Sequence, residues 1–321
     1  MTNLIALTEK IKKGYFISKE EALCLFDMDV EALGKKANEI REYFCGSDFD
    51  ICTIVNGKSG KCEEDCKYCA QSKFYKTDIQ IFDLISKEEA LKDALKNYSK
   101  GVKRYSVVTS GKRATEKELD RLCEIYAEIN KNCAIKLCAS HGLLDYKQFL
   151  RLKAVGVIKY HNNLETSERF FPQICRTHTY QEKIKTIQNA QKAGMEVCSG
   201  GIIGLGEDNE DRVDMAFQLR ELGIRSIPLN LLNPIKGTPL EKNQKVTEED
   251  FIKIGAIFRF INPKAVIRLA GGRALLSDYG KRTFSSGVNG TISGELLTTY
   301  GNDTEKDIKM ITELGFNTER N

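Results

Sequence analysis

Asp50-Ile51-Cys52-Thr53-Ile54-Val55 is the stretch from which the fold is read. Its β-branched residues favour a strand. The two-residue alternation of a strand puts Cys52 and Ile54 on one face. Short apolar runs of the same kind recur at Tyr105–Thr109, Ile135–Ala139, Val157–Tyr160, Val197–Ile203, Ile227–Leu231 and Val266–Ala270, with a weaker eighth at Val288–Ser293. A helical stretch follows each run. Several helices are announced by capping boxes or near-boxes, Ser86-x-x-Glu89, Thr115-x-x-Glu118, Thr179-x-x-Glu182 and Thr247-x-x-Asp250, in which side chains satisfy free backbone donors. Ala90, Leu91, Ala94 and Leu95, and likewise Phe251, Ile254, Ile257, Phe258 and Ile261, give helices an apolar face for a sheet. Strand and helix alternating about eight times imply a parallel sheet, and the count favours a (β/α)8 TIM-type barrel over an open doubly wound sheet. Residues 1–45 read as an N-terminal helical extension with a capping box at Ser18-x-x-Glu21, and 46–321 as the barrel with a C-terminal segment. That segment carries Leu296-Leu297-Thr298-Thr299-Tyr300, Thr304-x-x-Asp307 and a closing helix ending at Gly315.

A chain of 321 residues with 41% hydrophobic side chains can fill one barrel. Its 49 basic and 45 acidic residues nearly cancel to +4, and no basic stripe with interleaved aromatics predicts a nucleic-acid partner. The amino terminus lacks a signal-peptide core, and no apolar run approaches the ~20 residues that span a bilayer. A cytoplasmic protein without membrane contact is expected. Eleven cysteines in such a compartment point to metal or core roles rather than disulfides. Cys24 and Cys123 lie at helical spacing among apolar neighbours and read as packing, as do Cys133 and Cys175.

Cys62-Glu63-Glu64-Asp65-Cys66-Lys67-Tyr68-Cys69 carries the chemistry. Three thiols on one short loop favour an iron–sulfur cluster, zinc or copper(I). A cubane wants four ligands, so three leave one iron open to a small molecule. Structural zinc usually pairs two Cys-x-x-Cys knuckles, and the second is missing. Two other stretches mislead. Asn56-Gly57-Lys58-Ser59-Gly60-Lys61 lacks the P-loop spacing, and Gly200-Gly201-Ile202-Ile203-Gly204-Leu205-Gly206-Glu207 lacks the dinucleotide-binding order.

The three-cysteine motif resembles the signature of the radical S-adenosylmethionine superfamily. The resemblance implies a [4Fe-4S] cluster on Cys62, Cys66 and Cys69, S-adenosylmethionine on its open iron, and Tyr68 and Ile202 against adenine. Further stretches are similar to the biotin synthase family: Asn163-Leu164-Glu165-Thr166-Ser167, Thr179-Tyr180-Gln181-Glu182, Val197 to Glu207, Pro228-Leu229-Asn230, Lys236-Gly237-Thr238-Pro239-Leu240, Arg268-Leu269 and Leu297-Thr298-Thr299. Expected from this are sulfur insertion into dethiobiotin, a flavodoxin or ferredoxin as electron donor, and a homodimer. Asn163, Glu165 and Asn230 are expected to grip S-adenosylmethionine, with Asn163, Asn230 and His161 reaching the substrate. The alternative readings are a related radical enzyme such as a hydrogenase-cofactor maturase, which lacks the Cys198 and Arg268 pair, and a non-catalytic metal-binding barrel.

The family resemblance also implies an auxiliary sulfur-donating cluster, [2Fe-2S] in the family, on three cysteines and an arginine. Cys138, Cys198 and Arg268 match three of these positions, but Ser106 stands where the family often has cysteine. Other departures are His161 for Asn, Glu165 for Asp and His178 near a usual Arg. A hydroxyl is a poor iron ligand beside thiolates. Cys52, on the neighbouring first strand, is the expected replacement, about one strand spacing of 4.8 Å away, and it leaves room for a larger cluster.

Overall fold

In the computed structural model, which describes residues 3–298 and 301–319, every apolar run becomes a strand. They are β1 (Asp50–Lys58), β2 (Arg104–Thr109), β3 (Lys136–Ser140), β4 (Val157–His161), β5 (Glu196–Cys198), β6 (Gly201–Ile203), β7 (Ser226–Leu231), β8 (Val266–Leu269) and β9 (Gly290–Ile292). All pair in parallel in the order β5-β4-β3-β2-β1-β9-β8-β7-β6, and a β5–β7 pairing at Cys198 and Ser226 closes the ring. The result is the expected parallel barrel of eight staves, one of them shared by β5 and β6. The weak eighth run is fully used, since β9 joins β1 to β8.

The run expected to be one strand, Val197–Ile203, is instead two. Gly200 passes so close to the Pro228 carbonyl that a Cβ there would collide with it. The chain steps inward at this point, and the backbone of Glu165 fills the gap by donating to the Gly200 carbonyl (3.1 Å) and accepting from Ile202 (2.9 Å).

Helices Lys19–Cys24, Lys87–Ser99, Glu116–Asn132 and Tyr180–Lys192 start in the predicted capping boxes. Two expectations fail at the surface. Leu95 is exposed, since Ala90 and Ala94 are the buried residues of its helix with Leu91 packed beside them, and Cys24 is exposed at the last turn of its short helix. The final helix, Thr304–Glu313, is capped by Asp303 rather than by Thr304, because Asp307 is drawn inward to Arg273 (2.6 Å) and Ser293 (2.6 Å). Thr299 and Tyr300 lie outside the described residues. Helix Glu248–Ile261 is buried nearly all round between the barrel and helix Val30–Cys45. Its Arg259 donates to the carbonyls of Ala265 (2.6 Å) and Gly287 (2.8 Å) and to Asn289 (2.7 Å). Among the described residues no helix is long and apolar enough to cross a membrane.

Candidate active site

The inward faces of the strands surround a cavity of ≈ 360 Å³. Cys52 from β1, Cys138 from β3, Cys198 from β5 and Arg268 from β8 all line it, with Ser106 from β2 between Cys52 and Cys138. Arg268 is the hub. Its Nη1 donates to Cys52 Sγ (2.9 Å) and Asp50 (3.0 Å), while Nη2 donates to Ser226 Oγ (3.0 Å), which donates to Cys198 Sγ (3.3 Å). Burial opposes the charge of Asp50, but Arg268 and Arg104 outweigh it and hold its carboxyl well below the usual range. Burial pushes Cys52 up and takes Cys138 up to about 12. Burial also acts on Cys198, yet a hydrogen bond from His161, with its charge and that of Arg268, brings this thiol down to about 6.

The chamber suits a thiolate-held inorganic group. It gathers three thiols, three cationic side chains and two buried polar atoms without a hydrogen-bond partner among the described residues, Ser106 Oγ and Arg268 Nε. Unpaired buried polar atoms are rare and mark a place where something else belongs. Cys52 does face the interior beside Ser106, but the register pairs Cys52 with Arg104 and Ile54 with Ser106. The replacement thiol therefore sits two residues further down the barrel as well as one strand across.

Cys62, Cys66 and Cys69 lie on the loop leaving the carboxyl end of β1. Backbone bonds fold this loop on itself, from Cys62 N to the Gln71 carbonyl (3.0 Å) and from Cys69 N to the Cys66 carbonyl (3.0 Å). It is pinned to residues 174–177 by Lys67 N on the Ile174 carbonyl (2.9 Å) and by the Asp65 carboxylate, which accepts from Arg176 N (2.8 Å) and Thr177 N (3.2 Å). Cys69 and Tyr68 face the main cavity; Cys62, Cys66 and Tyr68 face an adjoining one of ≈ 180 Å³. Three thiols on a loop tied at both ends, over two joined cavities, fit a cubane, which spreads its ligands further apart than a single ion does. The Cys66 thiol donates to Cys175 Sγ (3.7 Å).

Between loop and chamber, His161, Asn163, Glu165, Ile202 and Asn230 line the main cavity from the carboxyl ends of β4, β6 and β7. Asn163 accepts from Gly200 N (3.0 Å) and donates to Glu165 (3.3 Å). Asn230 spends its amide on the Gly201 carbonyl (3.0 Å) and Gly271 N (2.8 Å), bridging neighbouring backbones. Glu165 holds a left-handed conformation, φ +74°, that non-glycine residues rarely adopt.

Several members of the site escaped the sequence. Asp50, Arg104 and Lys159 line or charge the chamber, although two-residue alternation from Cys52 and Ser106 would have pointed to the first two. Cys175, read as packing, instead meets Cys66 and lies 3.2 Å from His178 Nδ1. His178, noted in the sequence only as standing near a usual Arg, is buried and hydrogen-bonded to Glu64. The spacing Cys175-x-x-His178 was the available signal.

Residues 58–219 match the Radical SAM superfamily, and residues 228–317 match the Biotin and Thiamin Synthesis associated domain. The chain is 59% identical over 308 residues to a biotin synthase of Clostridium botulinum, covering 96% of this chain and 97% of that protein. It is 53% identical to a biotin synthase of Brachyspira hyodysenteriae, covering 99% and 95%. Among solved structures, methylornithine synthase superposes with a TM-score of 0.85 at 17% identity over 97% of this chain and 96% of that one. The FeFe-hydrogenase maturase of Carboxydothermus hydrogenoformans gives 0.83 at 18% over 98% and 78%. At such identities the solved structures speak for the fold alone, but the identity to the curated relatives does more: the chain belongs to the biotin synthase family of radical S-adenosylmethionine enzymes.

Proposed function

We propose that the chain inserts sulfur into dethiobiotin to form biotin, holding a [4Fe-4S] cluster on Cys62, Cys66 and Cys69 and a sulfur-donating auxiliary cluster on Cys52, Cys138, Cys198 and Arg268. The observation that carries this is the stacking of two thiol sets on joined cavities, one at the rim of the barrel and one within it. When bound, the cubane and S-adenosylmethionine supply a carbon radical, which alone can take hydrogen from unactivated C–H bonds that acid–base groups cannot reach.

The protein's own part is placement. The Glu165 carboxylate can accept both ribose hydroxyls. Asn163 holds that carboxylate by its amide, and Tyr68 and Ile202 offer apolar surface to adenine. Asn230 fixes the backbones of Gly201 and Gly271, so it shapes the pocket in which substrate and nucleoside meet. His161, half-buried between the two cavities, stands where substrate would pass. Arg268 holds Cys52 and, through Ser226, Cys198 in the chamber. With Cys52 displaced along and across the strands relative to Ser106, the ligands span a wider opening, which favours an auxiliary cluster larger than [2Fe-2S]. Residues 1–45 serve as a helical extension on the 46–321 barrel. The family resemblance supports a flavodoxin or ferredoxin as electron donor and a homodimer, for which donor-dependent turnover and sedimentation are the checks.

Iron and sulfide counts with Mössbauer spectra test the auxiliary site. Cys52→Ala is expected to lose the auxiliary signal and keep that of the cubane. A full auxiliary signal in Cys52→Ala contradicts the assignment of Cys52.

A further inference from the structure

Cys66 and Cys175 meet sulfur to sulfur at 3.7 Å, and both are buried. Their backbones are tied together on either side of the contact. The peptide group joining Cys66 to Lys67 donates through Lys67 N to the carbonyl of the group joining Ile174 to Cys175 (2.9 Å). The Asp65 carboxylate accepts from Arg176 N (2.8 Å) and Thr177 N (3.2 Å). We propose that Cys66 and Cys175 form a reversible disulfide in the cluster-free chain.

Paired backbones run about 4.7–4.9 Å apart, inside the Cα separation of about 4.4–6.8 Å that a disulfide spans. A sulfur–sulfur bond of about 2.05 Å is reached when each sulfur moves by less than about 1 Å, which side-chain rotation supplies on a pinned backbone. Cys175 is the partner that the fold offers. Among the described residues the Cys66 thiol is hydrogen-bonded to no sulfur other than that of Cys175. His178 Nδ1 (3.2 Å) and Thr177 Oγ1 (3.6 Å) flank the Cys175 sulfur.

Cys66 lines the smaller cavity, so a small oxidant such as hydrogen peroxide can reach it there. Its sulfur takes one peroxide oxygen and becomes a sulfenic acid as the first water leaves; the Cys175 sulfur then bonds it and expels the second. The two thiols give up two protons and two electrons, which reduce the peroxide to two waters. A dithiol reverses the bond by exchange. Without Cys175 the sulfenic acid is open to further oxidation to sulfinic and sulfonic acids, which a dithiol does not reverse. The disulfide thus shields Cys66 and blocks cubane assembly until reducing conditions return. That block rests on the assignment of Cys66 to the cubane, whereas the bond itself does not.

The test treats the cluster-free full chain with one equivalent of hydrogen peroxide under nitrogen, then alkylates and digests it without reductant. Mass spectrometry is expected to find the Cys66 and Cys175 peptides joined, two hydrogens lighter than their sum, and dithiothreitol to part them. Cys175→Ser should instead leave Cys66 as a sulfenic acid that dimedone labels. Untreated Cys175→Ser should take up cubane iron and sulfide, which also shows that it folds. Oxidised wild type should take up no cubane iron until dithiothreitol is added. Cys66 joined to Cys62 or Cys69, or left unpaired in the wild type, overturns the proposal. If the Cys66–Cys175 bond forms and the oxidised chain still takes up a full cubane, the disulfide stands and the cubane assignment of Cys66 falls.

Discussion

Glu165 concentrates two opposing demands in one residue. Its carboxylate faces the main cavity beside Asn163, and its backbone must take φ +74° to fill the gap between β5 and β6. A non-glycine residue in that region costs roughly 1–2 kcal/mol. Glu165→Gly is therefore expected to leave thermal stability undiminished while weakening S-adenosylmethionine binding, and Glu165→Gln to weaken binding at unchanged iron content. Calorimetric titration with S-adenosylmethionine and a thermal melt separate the two effects. Unaltered binding in both variants contradicts a ribose role.

At the scale of elements, helix Glu248–Ile261 shows how a charge can serve as an internal clamp. Arg259 is wholly buried, and burial pulls its guanidinium down to about 10. Arg259→Met leaves the carbonyls of Ala265 and Gly287 and the amide oxygen of Asn289 without this donor. Each unpaired buried acceptor costs about 1–3 kcal/mol. A loss of at least about 2 kcal/mol in urea unfolding is expected, with cubane iron retained. The strands themselves were legible in the sequence, because β-branched runs between capping boxes leave few alternatives. The break in Val197–Ile203 was not, since it depends on the Pro228 carbonyl of the neighbouring strand β7 meeting Gly200. The inward face of Cys52 followed from alternation, which from Ser106 also reaches Arg104, whereas Lys159 is brought to the chamber only by the closing of the barrel. The Cys66–Cys175 contact joins residues 109 apart, a distance over which local pattern carries nothing.

For the whole molecule, the buried histidine His141 ties stability to pH. It is enclosed by Thr109 Oγ1 (3.0 Å) and Tyr126 OH (2.9 Å), and burial pulls its pKa from 6.5 down to about 3. The unfolded chain thus binds a proton that the folded chain refuses between these values. This contribution is complete above pH 6.5 and shrinks by about 1.4 kcal/mol per unit as pH falls toward 3. Urea midpoints of the wild type and His141→Gln, followed from pH 7 to 4.5, should show the wild type losing this share and the variant not. Parallel slopes contradict it.

The division of the barrel into a radical-generating rim and a sulfur-holding interior is tested most directly by following the sulfur. The auxiliary cluster is assembled with isotopically labelled sulfide, and the protein is given dithionite, S-adenosylmethionine and dethiobiotin without air. Labelled biotin is expected from the wild type, whereas Cys52→Ala should still release 5′-deoxyadenosine and yield no biotin. Normal labelled biotin from Cys52→Ala, or unlabelled biotin from the wild type, would contradict the account.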